Sequence, residues 1–319
     1  PIFLVLFAIG GQILKTSINN EQIFSRCNIS KWRAAGYSGK GVKVAILDNG
    51  SKPHPCFKGA TYPLGCSKNG YDHATMVEAV IKEVAPDCEI MMFDGFNIKE
   101  NIDWILQHKV DVVNISYSGV PGELERLEQT EIPIFCASGN DGYEDKISNP
   151  ARLTWTYAVG AWSEAQDRKS NYSNGGNECD FVGYNIEMLS TRGSYMTQIG
   201  TSFTTPFATG LCALFLQRCQ ELGVSPSREQ IKKYLVANAL DACTYGKDKD
   251  SGYGLIALSK ELRPNRVDVY AGTDRAAVNG EEEKLEIVVP TIKDRKVVPL
   301  RVLGESLGWV VEWEQANNK

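Results

Sequence analysis

Gly41-Val42-Lys43-Val44-Ala45-Ile46-Leu47-Asp48-Asn49-Gly50 is the stretch from which the fold class is read. Val42 to Leu47 is a short buried-strand run, and the turn residues Asp48, Asn49 and Gly50 stop it. Beyond it, Ala74 to Ile81 has a helical pattern and Glu89 to Phe93 a strand pattern. Ile98 to Gln107 is again helical, with Ile102, Ile105 and Leu106 on one stripe. Val110 to Ile115 and Ile132 to Ala137 are further apolar strands that end at small polar residues. This alternation predicts an α/β fold, a mostly parallel sheet sandwiched by helices. Such sheets bind ligands outside the carboxyl ends of their strands, so Asp48, Ser116 and the turn Ser138-Gly139-Asn140 are expected on one rim.

Downstream, Gly200-Thr-Ser-Phe-Thr-Thr-Pro-Phe-Ala-Thr-Gly-Leu-Cys-Ala-Leu-Phe-Leu216 predicts an apolar helix reaching about Glu221. A straight helix tolerates Pro206 only near its first turn, so the helix begins close to Ser202 and sets that hydroxyl at a helix N-terminus. Ser225-Pro226-Ser227 with Gln230 reads as a capping box for another helix, to about Ala239. The pattern changes after Arg263-Pro264-Asn265-Arg266 to a hairpin-rich segment with Gly272, Asn279-Gly280 and Pro290, which makes this the best domain boundary.

The 319 residues are 43% apolar and 23% charged, with 34 Lys and Arg against 39 Asp and Glu. That balance excludes a disordered chain, a collagen and a basic nucleic-acid-binding protein. The length favours one large domain with a small appendage. The longest apolar stretch, Pro1 to Ile9, falls far short of the roughly 20 residues that cross a bilayer, so no transmembrane segment is expected. Two readings of it stay open: a signal-peptide core followed by the small-x-small pattern Ala8-Ile9-Gly10, or Ile2 to Phe7 as a buried strand or an ordering segment packed on the domain. Nine Cys without a Cys-x-x-Cys pair, and three His, lack the spacing of a structural zinc site. Cys212 and Cys219 lie about 10 Å apart along a helix axis, too far for a disulfide, and most of the Cys read as buried small hydrophobes. Cys56 and Cys66 flank a Pro/Gly-rich loop and are a candidate pair if the chain is exported.

Hydrolysis of an amide by a nucleophile needs an activated hydroxyl, a base, a carboxylate to orient the base, and donors for the oxyanion. The chain supplies a candidate for each: Ser202 opening a helix, His73 opening another, Asp48 ending a strand, and Asn140 after a strand. Singly these are weak signals, since an Asp after a strand is usually a turn residue and a lone His usually structural.

Their contexts together resemble the subtilisin-like serine proteases over roughly residues 28 to 262. Tyr37-Ser-Gly-Lys-Gly-Val-Lys-Val-Ala-Ile-Leu-Asp-Asn-Gly50 is similar to the family's aspartate motif, and His73-Ala-Thr-Met-Val-Glu-Ala79 to HGTHVAG. Val113-Asn-Ile-Ser-Tyr-Ser-Gly119 is similar to VINMSLGG, Cys136-Ala-Ser-Gly-Asn-Asp-Gly142 to AAAGNEG, Gly200-Thr-Ser-Phe-Thr-Thr-Pro206 to GTSMASP, and Ser251-Gly-Tyr-Gly-Leu-Ile256 to YGYGLIN. The order Asp, His, Ser is that family's order. The resemblance implies a serine endopeptidase with Asp48, His73 and Ser202 as triad, Asn140 and the Ser202 N–H as oxyanion donors, and Ser116, Tyr117, Ser118, Gly119, Ala137, Ser138 and Gly139 lining the primary specificity pocket. The implied partner is a peptide or protein substrate, paired as an added strand. Tyr117 is bulkier than the family's Leu and Ser118 replaces a Gly, which implies a narrower pocket. Asp141 reads first as a solvated turn carboxylate, with a role at the pocket mouth favouring a basic side chain as the alternative.

The departures sit behind the triad. Ala74, Met76, Glu78 and Ala79 replace the family's Gly, His, Ala and Gly, and Phe203, Thr205 and Phe207 alter the surroundings of Ser202. A catalytically impaired, peptide-binding or surface module is therefore the alternative function. Only Lys82-Glu83 separates the His73 helix from Val84-Ala-Pro86, where many relatives insert a calcium-binding loop. The expectation is no required cofactor and no metal ligand set, with a weaker calcium site elsewhere left open. The chain between Phe93 and Ile102 is also brief, which lowers one wall of the cleft.

From about Val267, with Val289 to Trp313 as its core, the tail resembles part of the stalk module known as the copper amine oxidase N-terminal-like domain. The segment has no His or Cys for copper. The expected organisation is an N-terminal segment 1–27, a protease-like domain 28–262, and a linker with a partial, small α+β module 263–319. The resemblance implies an extracellular or cell-surface protein, with surface association through the tail, and a cytoplasmic location as the alternative.

Overall fold

The computed structural model describes residues 8–9, 12–13, 20–48, 60–64, 72–94, 98–119, 122–190, 192–260, 262, 267–269, 275–278, 281–284, 291–292 and 295–296. The chain divides into two compact units, Pro1–Lys260 and Glu261–Lys319. The first opens with the short strands β1 (Ala8–Ile9) and β2 (Gln12–Ile13), then α1 (Glu21–Arg26) and α2 (Ile29–Ala34). Its main elements are β3 (Lys43–Asp48), α3 (Asp72–Val84), β4 (Glu89–Asp94), α4 (Ile98–His108), β5 (Val112–Ile115) and β6 (Ile134–Ala137). They continue with β7 (Tyr157–Ser163), β8 (Arg168–Lys169), β9 (Cys179–Tyr184), a hairpin of β10 (Glu187–Leu189) and β11 (Tyr195–Thr197), α5 (Thr201–Glu221) and α6 (Arg228–Asn238).

The sheet runs β4-β3-β5-β6-β7-β8, with β9 also paired to β7. Every pair is parallel except β7 with β8. Parallel strands are covered on both faces, so β3 is apolar along its length rather than alternating. Its Ala45 and Leu47 join Val113, Ile115, Ile102 and Ile105 in one buried cluster, together with Leu124 and Leu127 from a 3-10 turn. On the opposite face Asn114 meets α5 through Thr209. Helix α5 packs on β5, β6, β7 and β9 and on α3. It is buried almost all round, so it shows no amphipathic stripe. Gly210 lets α3 approach: a Cβ there would lie 2.7 Å from Val84 Cβ.

The strand and helix patterns read from the sequence fall within one to two residues of these elements at most ends. Ser227 caps α6 with the reciprocal Gln230 bond. Residues 20–27, which the sequence reading sets outside the protease-like domain, are folded with it: Phe24 and Cys27 are buried, and Asn20 brackets Glu187 by accepting from its N–H and donating to its carbonyl, both at 2.8 Å. Asn28 turns the chain between α1 and α2 at φ 62°, a left-handed conformation that Asn tolerates. Its Nδ2 donates to the Leu258 carbonyl at 2.8 Å, and Trp32 Nε1 donates to that of Ser259 at 3.0 Å. The readings of Ile2 to Phe7 and of a Cys56–Cys66 pair fall outside the described residues. Of the described cysteines, Cys27, Cys88, Cys136, Cys179, Cys212 and Cys219 are buried free thiols and Cys243 is exposed.

In the second unit β12 (Val267–Val269), β13 (Arg275–Val278) and β14 (Glu281–Lys284) form an antiparallel sheet, and β15 (Thr291–Ile292) pairs with β16 (Arg295–Lys296). Val278 stands opposite Glu281 in the pairing of β13 with β14, and the turn expected at Asn279-Gly280 falls outside the described residues. The helical part of the expected α+β module falls outside the described residues.

Glu78 of α3 is completely buried, and neither carboxyl oxygen has a hydrogen-bond partner. Burial pushes its carboxyl up to about 7, against the opposing pull of Lys82 one turn on. The Lys82 ammonium instead donates to the carbonyls of Pro86, at 3.3 Å, and Cys88. A folded-state value raised above the ordinary 4.5 means that the folded chain holds a proton which the unfolded chain has released, so stability falls as pH rises from 4.5 through about 7. The shift corresponds to about 3 kcal/mol above that range. In calorimetry, the melting temperature of the unaltered protein is expected to drop between about pH 5 and about pH 8 by several degrees more than that of Glu78→Gln; equal drops would show that Glu78 does not titrate in this window.

Candidate active site

Asp48 is the last residue of β3 and wholly buried, while His73 stands in the first turn of α3 with its side chain 33% exposed. Imidazole Nδ1 lies 3.0 Å from each Asp48 oxygen. A carboxylate only accepts, so the pair fixes the tautomer: Nδ1 carries the proton and donates, and Nε2 presents a lone pair. No described residue occupies Nε2. Burial lowers the His73 pKa, but the Asp48 hydrogen bond and charge outweigh it and hold the imidazole above its usual value. The Phe203 ring packs beside it, with centroids 5.4 Å apart.

Ser202 is the second residue of α5, after Gly200 at φ 148°, a backbone conformation that favours glycine. The first N–H groups of a helix lack internal acceptors. Here the Thr201 N–H donates to Asn140 Oδ1 at 2.8 Å, the Thr201 hydroxyl to the same atom at 3.0 Å, and the Phe203 N–H to the Gly200 carbonyl at 3.0 Å. The Ser202 N–H and Asn140 Nδ2 remain without acceptors among the described residues. A Cβ on Gly200 would lie 3.8 Å from Asn140 Nδ2, which places that donor beside the residue that precedes α5.

Pro206 has no N–H, so the Ser202 carbonyl, four residues earlier, receives no helical hydrogen bond. The Ser116 hydroxyl fills the gap and donates to that carbonyl at 2.9 Å. In return the Ser202 hydroxyl donates to the Ser116 carbonyl, also at 2.9 Å, and no hydrogen bond joins it to His73. Asn114 Nδ2 donates to Ser116 Oγ at 2.9 Å, and Asn114 Oδ1 accepts from Thr209 at 3.0 Å. A buried chain of polar contacts therefore runs from mid-α5 through β5 to the start of α5.

Ser116, Tyr117, Ser118 and Gly119 leave β5, and Ala137, Ser138 and Gly139 bracket the end of β6, its parallel neighbour. Ser138 and Ala137 are buried, Tyr117 is partly buried against the core, and Ser118 and Gly119 are exposed. Residues 148–149 tie the two segments together: the Gly119 N–H donates to the Asn149 carbonyl at 3.1 Å and the Ser148 N–H to that of Ser138 at 2.9 Å. Gly139, at φ +111°, has no room for a side chain, because a Cβ would lie 2.2 Å from Asn174 Nδ2. Buried Asn174 shapes this loop by accepting from the N–H groups of Asp141 and Tyr143 at 2.9 and 3.1 Å. Asp141 is exposed, and its carboxylate accepts from Asn174 Nδ2 at 3.3 Å.

Asp48, Ser116, Ser138 and Asn140 thus share the carboxyl rim of the sheet, and α3 and α5 bring His73 and Ser202 to it. The sequence reading missed Asn114, Thr209 and Asn174. A signal existed for the first two, since each is a polar residue inside an apolar run that packs on the other; Asn174 stands in a polar loop and carried none. No group of three or more His, Cys, Asp or Glu among the described residues is arranged to hold a metal ion. No helix there is long and apolar enough to cross a membrane.

Comparison with known proteins follows the division of the chain. Residues 75–268 match the subtilase family, and residues 252–319 match the copper amine oxidase N-terminal domain. The first match begins just after His73, so Asp48 and His73 rest on their geometry. The minor extracellular protease Epr of Bacillus subtilis is 27% identical over 287 residues, which are 80% of this chain and 43% of that protein. This chain therefore spans less than half of that relative. Subtilisin BL of Lederbergia lenta is 31% identical over 260 residues, covering 72% of this chain and 93% of the relative. The fold is also that of a lanthipeptide protease, with a TM-score of 0.65 at 22% identity over 76% of this chain and 93% of the other.

Replacing Asp48 by Asn removes the charge that raises His73 and leaves at most a neutral hydrogen bond against the burial that lowers it. The imidazole is expected to titrate below its usual value of 6.5 in Asp48→Asn and above it in the unaltered protein, as read from ring proton shifts by NMR. Coincident titrations would show that Asp48 does not govern the His73 imidazole.

Proposed function

The chain belongs to the subtilase family of serine proteases, and on that premise we propose that it is a serine endopeptidase acting through an acyl-enzyme on Ser202. The observation that carries this reading is the buried Asp48 carboxylate against His73 Nδ1, with a serine at the start of α5 beside two N–H groups without acceptors. Ser202 Oγ attacks the scissile carbonyl as its proton passes to His73 Nε2. Asp48 holds the tautomer and stabilises the imidazolium that forms. The oxyanion takes the Ser202 N–H and Asn140 Nδ2, with the positive end of α5 behind them. The imidazolium then protonates the leaving amine, and a water repeats the sequence to release the acid.

The Ser116–Gly119 and Ala137–Gly139 segments offer backbone edges to a peptide strand, and Ser148 and Asn149 close the space between them. Asp141 is a loop carboxylate in this reading, since Asn174 engages it. The chemistry requires no cofactor. An extracellular setting is proposed from the extracellular protease among the relatives, and the second unit is proposed as a spacer or surface-binding module. One observation favours an impaired peptide-binding fold instead: the Ser202 hydroxyl is bonded to Ser116 rather than to His73.

Labelling by a fluorophosphonate separates the two readings. A covalent adduct mapped to Ser202 and absent from Ser202→Ala is the expected result, whereas no adduct on folded protein identifies the impaired fold. Asn140→Ala is expected to lower turnover by about 10²–10³-fold with KM little changed, the loss that follows removal of this donor in subtilisin itself. An unchanged rate removes Asn140 from the oxyanion site.

A further inference from the structure

We propose that Asn174 is a positioning residue for the oxyanion donor: it fixes the backbone on both sides of Asn140, so that the Asn140 carboxamide stands where charge develops on the attacked carbonyl. The inference rests on the reading of this site as an acyl-transfer centre. Asn140 is exposed and lies in a turn with Gly139 at φ +111° and Gly142 at φ +70°. Glycines in such conformations leave a turn free to shift, whereas a preorganised donor has to be held to about 0.5 Å. Thr201 supplies part of the hold. Its N–H and its hydroxyl donate to Asn140 Oδ1, and its Oγ1 accepts from the Gly139 N–H at 3.3 Å. These contacts orient the carboxamide and steady the residue before it.

Asn174 holds the turn from both sides. It is buried in the segment between β8 and β9, and each of its four hydrogen-bonding groups is spent on this turn or on Ser148. Its backbone N–H donates to the Gly139 carbonyl at 3.0 Å, and its carbonyl accepts the Ser138 hydroxyl at 3.1 Å. Its Oδ1 accepts from the N–H groups of Asp141 and Tyr143 at 2.9 and 3.1 Å. Its Nδ2 donates to Asp141 Oδ2 and to Ser148 Oγ, each at 3.3 Å. Residues 138, 139, 141 and 143 are thereby tied to Asn174, and Asn140 is carried between them. The Gly142 N–H adds a bond to the Tyr172 carbonyl at 2.9 Å. A donor that meets charge formed in the transition state acts on turnover rather than on substrate binding. Loosening its support therefore lowers kcat, by about 100-fold for a 1 Å misplacement and by no more than the about 10²–10³-fold that the donor itself supplies.

The test is a double-mutant cycle in the full chain, read with a peptide p-nitroanilide and with Ser202→Ala as the blank. Asn174→Asp keeps the size of the side chain and an acceptor for the two N–H groups, but it removes the Nδ2 donor and sets a second carboxylate against that of Asp141. It is expected to lower kcat by about 10–100-fold and to change KM by less than about twofold. In the Asn140→Ala background the same replacement is expected to change kcat by less than about twofold, because no donor is left to misplace. Adding Asp141→Asn to Asn174→Asp exchanges donor and acceptor across one contact, and kcat is expected to return to within about threefold of the unaltered protein. If Asn174→Asp does not fold, Asn174→Ala takes its place in the cycle with the same expectation, the N–H groups at exposed residues 141 and 143 then turning to water. An equal loss of kcat in both backgrounds, an unchanged kcat, or a loss that the exchange does not repair would overturn the inference. Fluorophosphonate labelling of the unaltered chain keeps the two failures apart. With a Ser202 adduct present, a failed cycle overturns this inference alone; with no adduct, the acyl-transfer reading falls and this inference with it.

Discussion

The site is organised by a hydrogen bond that cannot form. Pro206 denies the Ser202 carbonyl its helical donor, and a half-buried carbonyl left without that donor takes another. Ser116 supplies it. That one substitution of partner joins the first turn of α5 to the end of β5, so the position of Ser202 is set by a strand of the central sheet as well as by its own helix. The remaining parts follow from α5 being buried. Gly210 admits Val84 to close contact, which fixes α3, and α3 carries His73. His73 and Ser202 are thus held by two helices in direct contact, each pinned to the same sheet.

Two buried carboxyls of this unit show how context decides what a charge does. Asp48 lies at a strand end where His73 Nδ1 contacts both its oxygens, and the interaction raises the imidazole despite its burial. Glu78, one and a half turns further along the same helix as His73, has no partner, and burial alone keeps its proton on at mildly acidic pH. The family pattern has Ala at this position. The replacement therefore introduces a liability into the element that carries His73 without touching the His73–Asp48 pair.

The sheet, its helices and the rim were legible because parallel strands buried on both faces leave continuous apolar runs such as Val42 to Leu47, ended by small polar residues that also form the site. The start of α5 was legible because a proline restricts where a helix begins. Residues 20–27 were not, since α1 and α2 are one and a half turns each, and their burial depends on carbonyls at 258–259 that no local pattern reveals. The partnership of Asn114 with Thr209, and the three-way support of the 139–143 loop by Asn174, are likewise contacts between residues far apart in the chain. The resemblance between motifs places Asp48, His73 and Ser202 in order but says nothing of which acceptor the hydroxyl chooses.

The first unit is tied shut at its two ends. Asn28 and Trp32 bond the carbonyls of Leu258 and Ser259, the Cys27 carbonyl accepts the Leu258 N–H, and Gln217 Oε1 collects the N–H groups of Ser38, Gly39 and Lys40. The helices that begin the unit therefore wait for the segment that ends it. During synthesis, residues 20–40 have left the ribosome long before residues 217 and 258 exist, so the fold closes late and through contacts of very long sequence separation, which are slow to form. A nascent chain of this protein is committed to its finished shape only when nearly the whole of the first unit has emerged.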